Sequence, residues 1–285
     1  MFKTYLSLTK PGMVRGNMIL AATGFLLASG KHINFTLFLL TVVGVSCVVA
    51  SGCVFNNYID REIDKKMLRT KSRAFALEKV KTTNTLLFAT IFAAIGFVVL
   101  FFFTNAVTLA VTLFGLVVYV GIYSPLKHRS SHAALVGSLA GGVPIVAGYT
   151  AVMHSINGAA LLLFFILVLW QMPHFYSIAL YRYEEYKAAG VPVFPLAKGV
   201  FITKIHILAY ISAFITATLF LTVFGYAGYI YAGVAGVLGV AWFIYGLRGL
   251  IAKTDTVKWS RTMFFISLAV LMVLCSVLSL NAFLI

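Results

Sequence analysis

The sequence predicts an all-α, polytopic membrane protein, a nine-transmembrane-helix bundle, and three observations carry this. Of the 285 residues, 61% are hydrophobic and only 10% charged, where a soluble domain of this length carries about 25% charged residues. Apolar stretches of membrane-spanning length recur along the whole chain. With the N-terminus in the cytoplasm, every Lys and Arg except Lys31 falls on one side of the membrane, which the positive-inside rule makes the cytoplasmic side and which fits an odd number of spans.

The N-terminal MFKTYLSLTKPG is short and basic and leads into an apolar stretch without a small-residue cleavage signal, so it reads as a retained first helix. The predicted spans are 12–30, 35–59, 83–103, 105–124, 133–153, 158–180, 205–224, 228–247 and 263–283. Residues 1–285 are expected to form a single integral membrane domain. The outer joints, around Lys31, Asn105, His154 and Gly225, are short and nearly uncharged, while the inner joints at 60–82, 181–204 and 248–262 are long. All seven acidic residues lie on the inner side, so chemistry involving charge is expected at the cytoplasmic face. The net charge of +15 points to lipid headgroups and an anionic substrate. No RNP-like or finger-like motif is present, and nucleic acid is not an expected partner. Cys47, Cys53 and Cys275 stand in apolar segments without CxxC spacing and read as small core residues.

The end of the second span, NNYIDREIDKKMLRTKSR over 56–73, is the most informative stretch. If its helix continues through residue 69, Asn56, Asp60 and Asp64 recur every fourth residue on one face. Two carboxylates one turn apart can hold a hard divalent cation that keeps other oxygen ligands, as Mg²⁺ does when it carries phosphates. Arg61, Lys65 and Arg69 would form a parallel basic row that takes the remaining phosphate charge. Taken singly, those basic residues are also explained as topogenic charges at a membrane boundary. That explanation does not extend to Asp60 and Asp64, which contribute little to orientation and are costly so near the hydrocarbon.

Two further stretches carry candidates. Over 121–149, Tyr123, Lys127 and Arg129 form a compact basic joint, followed by small residues from Gly137 to Gly148 that suit close helix packing or a flat ligand. Over 170–199, Gln171 and His174 lie inside an apolar helix beside Pro173. His174 reads either as a substrate or iron contact, or as a histidine bonded to a neighbouring helix. Glu184 and Glu185 stand where a second acidic helix end would lie, and are equally well explained as surface charges.

Together these residues resemble the UbiA-type intramembrane prenyltransferases, and within them the protohaem IX farnesyltransferase branch. The resemblance runs over nearly the whole chain. It rests on Asn56, Asp60 and Asp64 with the trailing Met67, Arg69, Thr70 and Arg73, on YSPLK at 123–127, and on WQMPHF at 170–175 followed by AGVPVFP at 189–195. It implies a central cavity open toward the cytoplasmic side and transfer of a farnesyl group from farnesyl diphosphate to a vinyl group of haem B, with water adding a hydroxyl, to give haem O. It further implies Mg²⁺ at Asp60, Asp64 and Asn56, and diphosphate at Arg61, Lys65, Arg69, Arg73 and Lys127. His174, Gln171 and Tyr123 would meet haem, in a protein of the bacterial inner membrane serving oxidase assembly. The chain departs from many relatives in offering only Glu184 and Glu185 where a second Asp-rich motif is common, and Ala74 where proline is common. Competing readings are prenylation of a quinone precursor or chlorophyll-type ring, and a haem or lipid transporter. No Asp, Glu, Lys or Arg lies near the centre of a predicted span, which weighs against ion-coupled transport.

Overall fold

A chain crossing a bilayer must satisfy its backbone N–H and C=O groups internally, and a helix does so within one segment. In keeping with this, all regular structure among the described residues is helical. The computed structural model describes residues 2–68, 70–73, 75, 77, 80–251 and 255–284. Arg69 and Ala74 lie outside them, so the expected diphosphate role of Arg69 has no structural account.

A short α1 (Phe2–Leu8) precedes α2 (Pro11–Ser29), α3 (Phe35–Ile59) and a one-turn-plus extension α4 (Arg61–Lys66). Then come α5 (Thr82–Phe103) and α6 (Ala106–Leu116), which widens into a π-helical segment (Val117–Tyr123) and ends as α7 (Ser124–Leu126). The second half comprises α8 (Ala133–Met153), α9 (Gly158–Tyr181), the short α10 (Tyr183–Ala189) and α11 (Phe194–Lys198), α12 (Val200–Val223), α13 (Tyr229–Ile251) and α14 (Thr256–Leu284). The three helices α3, α6 and α9 are capped alike. The side chains of Asn34, Asn105 and Asn157 accept from the amides of Leu37, Thr108 and Ala160, satisfying donors that the first turn leaves free.

Among the described residues, eight helices are long and apolar enough to cross a membrane: α3, α5, α6–α7, α8, α9, α12, α13 and α14. The ninth long helix, α2, carries Arg15 and Asn17 in its first half and is less apolar, yet it packs along α8 and also against α3 and α14. Phe101, Phe102 and Val237 stay exposed on the bundle's outside, where lipid can cover them. This is a multi-pass membrane protein.

α8 is the central helix, with 67% of its spanning window buried against 17% for α5. It touches α2, α3, α6 and α9. Glycine permits the closest of these approaches: a Cβ on Gly148 would overlap the Ala21 carbonyl, and one on Gly24 would overlap that of Ile145. α2 and α8 therefore meet backbone to backbone, as small residues allow between membrane helices. Two helix starts depart from expectation. α12 begins at Val200 and not at 205, because Lys204 folds into the protein and donates to the Gly249 carbonyl (2.9 Å) and to Thr256 Oγ1 (3.2 Å). α14 begins at Thr256 and not at 263, with Asp255 accepting from the Val257 amide (2.9 Å).

Candidate active site

The acidic face forms, but the helix does not run straight to residue 69. Asp60 breaks α3 from α4 while the backbone bonds Asp60 N to Asn56 O (2.9 Å) and Asp64 N to Asp60 O (2.8 Å) keep the four-residue spacing. All three side chains line one cavity of about 730 Å³ and are buried, Asp60 to 3% exposure and Asp64 to 4%. Met67 then turns extended, and the Thr70 and Lys71 amides bond back to its carbonyl. That reversal brings Arg73 to Asp64, where Nη1 lies 2.8 and 3.1 Å from the two carboxylate oxygens.

Basic side chains face these acids from two other segments. Lys127, just past α7, is paired with Asp60, and His128 Nε2 stands 3.3 Å from the other Asp60 oxygen without closing a hydrogen bond to it. Burial alone would raise the Asp60 pKa, but His128 and Lys127 outweigh it and hold the carboxyl below its ordinary value. Lys10 reaches Asn56 Oδ1 at 2.5 Å from the start of α2. Its backbone is left-handed, with φ 51°, a conformation costing a non-glycine residue about 1 kcal/mol, and strain of this kind gathers at functional sites. Burial, helped by the charges of Arg73 and Lys127, pushes the Lys10 pKa down to about 8.

The π-helical widening of α6 serves this end of the cavity. Pro125 has no N–H for the Gly121 carbonyl, and ahead of it Ser124 donates to the Tyr119 carbonyl five residues back (2.8 Å) while accepting from Asn56 Nδ2 (2.9 Å). Tyr119 and Tyr123 then stack at 5.5 Å, with Lys127 Nζ 5.7 Å from the Tyr123 ring centre. The same cavity continues to His174, Trp170 and Phe264, where polar groups give way to rings. His174 stacks on Trp170 at 4.9 Å and bonds Ser267 Oγ through Nδ1 at 2.8 Å.

A closed helical bundle around such a cavity is matched by known proteins. Residues 17–269 match the UbiA prenyltransferase family. The chain belongs to this family. Proteins named protoheme IX farnesyltransferase from Edwardsiella ictaluri (strain 93-146) and Serratia proteamaculans (strain 568) are each 47% identical over 282 residues, covering 99% of this chain and 95% of theirs. The fold is shared with a structure of digeranylgeranylglyceryl phosphate synthase (TM-score 0.84, 18% identity, 100% of this chain and 99% of that one). It is also shared with a UbiA homolog from Archaeoglobus fulgidus bound to GPP and Mg²⁺ (TM-score 0.68, 15% identity, 97% and 99%).

Of the residues expected at this UbiA-family site, Asn56, Asp60, Asp64, Arg73, Lys127, Tyr123, Gln171 and His174 line the cavity. Arg61 and Lys65 do not. Arg61 lies 4.2 Å over the Tyr58 ring and donates to the Tyr58 carbonyl, and Lys65 faces Glu62 at 3.6 Å, so these two members of the basic row turn away from the acidic face. Asn56 lines the cavity with its carbonyl oxygen accepting from Lys10 and its amide donating to Ser124 Oγ. Gln171 locks α9 onto α8, its amide donating to the Ser138 (3.2 Å) and Leu167 (3.0 Å) carbonyls. Tyr123 belongs to the charged end, beside Lys127. Neither Glu184 nor Glu185 lines the cavity, and Glu185 pairs with Arg182 at 2.7 Å, so this joint contributes Arg182 to the cavity wall and no carboxylate.

Lys10 and His128 were not anticipated. A lone cation beside Pro11 and Gly12 and a histidine after Lys127 were the available signals. A divalent cation fits the acids: Asp60 Oδ1 is buried with no hydrogen-bond partner. Among the described residues no group of three His, Cys, Asp or Glu forms a metal cluster. The remaining coordination positions would fall to phosphate oxygens and water, as Mg²⁺ prefers.

Proposed function

We propose that the protein is a protohaem IX farnesyltransferase, moving the farnesyl group of farnesyl diphosphate onto a vinyl group of haem B, with water supplying a hydroxyl, to form haem O for terminal oxidases. The observation that carries this is one cavity with two contrasting ends: buried Asp60 and Asp64 facing Lys10, Arg73 and Lys127 at one, and rings around His174 at the other. The 47% identical relatives of that name support haem B as the acceptor.

Ionising the allylic diphosphate breaks the farnesyl C1–O bond, and the electron pair leaves with the diphosphate. Lys10, Arg73 and Lys127 stabilise that leaving charge in a partly desolvated site, where fixed cations act most strongly. Asp60 and Asp64 would hold Mg²⁺, which when bound neutralises further leaving-group charge. The vinyl π pair forms the new C–C bond to C1, and the adjacent carbon takes a water oxygen, which then loses a proton. Tyr119, Tyr123, Trp170 and Phe264 wall the cavity and keep water from capturing the cation early. Acceptor choice tests the reading. Membranes carrying the protein, given labelled farnesyl diphosphate with haem B and a hydroxybenzoate together, should label haem; label on the aromatic acid would contradict it.

Lys10 makes the diphosphate step pH-dependent. Its ammonium is charged below about pH 8 and neutral above, so kcat/KM for the diphosphate falls as pH rises past 8. Lys10→Arg keeps its charge and should abolish that fall; an unchanged break in the variant would remove Lys10 from diphosphate binding.

The protein sits in the bacterial inner membrane with its N-terminus cytoplasmic and its C-terminus outside, receiving haem from, or passing it to, oxidase-assembly partners. The charge asymmetry supports this orientation, Lys31 alone among Lys and Arg being on the outer side. In intact cells a membrane-impermeant maleimide should label Ser155→Cys at the exposed α8–α9 joint, and should reach Lys187→Cys only after permeabilisation. The opposite pattern would invert the topology.

A further inference from the structure

We infer that His174 is an axial ligand to the iron of the haem acceptor, and that Ser267 on α14 is the positioning residue that presents it. This rests on the acceptor being haem. Ser267 is fully buried and its hydroxyl has one proton. The Phe264 carbonyl can only accept, and at 2.6 Å the two oxygens would repel each other without a proton between them, so the proton goes to Phe264. Towards His174, 2.8 Å away, Ser267 Oγ is then an acceptor, and His174 Nδ1 must be the donor. A neutral imidazole with its proton on Nδ1 leaves Nε2 as a free lone pair.

The surroundings hold that lone pair in one place. Trp170 stacks on the imidazole at 4.9 Å and donates its own N–H to the Ser267 carbonyl at 2.8 Å, tying ring and serine to the same turn of α14. Phe264 covers the imidazole from another side at 4.8 Å. His174 lines the cavity, and Nδ1 carries its side-chain hydrogen bond. A histidine serving only to join α9 to α14 would not need to line a cavity as well. A general base would have to take on charge among Trp170 and Phe264, while all seven carboxylates lie in the inner joints. Ligation asks for no charge on the ring. A ligating histidine commonly donates its other N–H to a fixed acceptor, which sets the tautomer and raises basicity.

The test is a titration of the purified full-length protein with ferric haem B alone, without prenyl diphosphate. The wild type should bind one haem with Soret and visible bands of imidazole ligation. His174→Ala should lose those bands and regain them with added imidazole. Ser267→Ala should keep the ligand but weaken haem binding about 10-fold, the lower range for removing such a supporting hydrogen bond. Should His174→Ala not fold, the iron–histidine Raman band of the ferrous wild-type complex, and its shift in Ser267→Ala, answers the same question. Identical spectra in wild type and His174→Ala, no iron–histidine band, or lost turnover with an unchanged haem spectrum would overturn the assignment, the last making His174 a proton carrier. If the wild type binds no haem at all, the haem acceptor itself is refuted, a separate outcome.

Discussion

Asp60→Asn and Asp64→Asn should each lower haem O formation by about 10²- to 10³-fold, the scale seen when one electrostatic contributor to a transition state is removed. Asparagine keeps the size and much of the hydrogen bonding but lacks the charge that holds a divalent cation. The two variants should differ in detail. Asp64→Asn loosens Arg73, whose Nη1 contacts both carboxylate oxygens, so diphosphate affinity changes along with metal affinity. Asp60→Asn frees Lys127 while the orphan Oδ1 position loses its charge, and should show the steeper Mg²⁺ dependence. Initial rates against Mg²⁺ and farnesyl diphosphate, at matched levels of folded protein, separate the two. Near-normal kinetics in both variants would reduce the acidic face to a solvated helix end.

Gly148→Leu should have the largest effect on folding. The Cβ alone would overlap the Ala21 carbonyl, and this neighbour is backbone of α2 that no rotamer change can move. Relief requires α2 to separate from α8, and α2 carries the Lys10 end of the site. Overpacking costs about 3 kcal/mol at the upper end of its usual range, which is large against the margin of a folded protein. The yield of monodisperse protein after detergent extraction should collapse. Gly233→Leu, where nothing lies within 4 Å of the added Cβ, should extract normally. Equal yields from the two would mean that α2 and α8 do not meet as closely as described.

Eight of the nine expected spans were legible from hydropathy, with α3 at 35–59 and α8 at 133–153 falling where the apolar runs do, whereas α2, expected over 12–30, is less apolar than the eight. Charge misled the start of α12, since Lys204 marks a boundary in sequence yet is satisfied inside the helix by Gly249 and Thr256. The acids of the site were legible for a similar reason. Carboxylates near hydrocarbon have few bland explanations, and their four-residue spacing survives the break at Asp60. The cations were harder. Arg61 and Lys65 have the right spacing but turn to Tyr58 and Glu62, whereas Lys10 reaches the site across 46 residues of chain with no pattern to announce it. Ser267 is more hidden still, one of four serines in α14, 93 residues from the histidine it orients.

The most direct measurement incubates the purified protein with haem B, farnesyl diphosphate and Mg²⁺ in ¹⁸O-labelled water and weighs the haem by mass spectrometry. The account predicts a haem enlarged by one farnesyl group and one ¹⁸O hydroxyl, formed with release of one diphosphate. Haem recovered unchanged from folded protein that binds both substrates would contradict it.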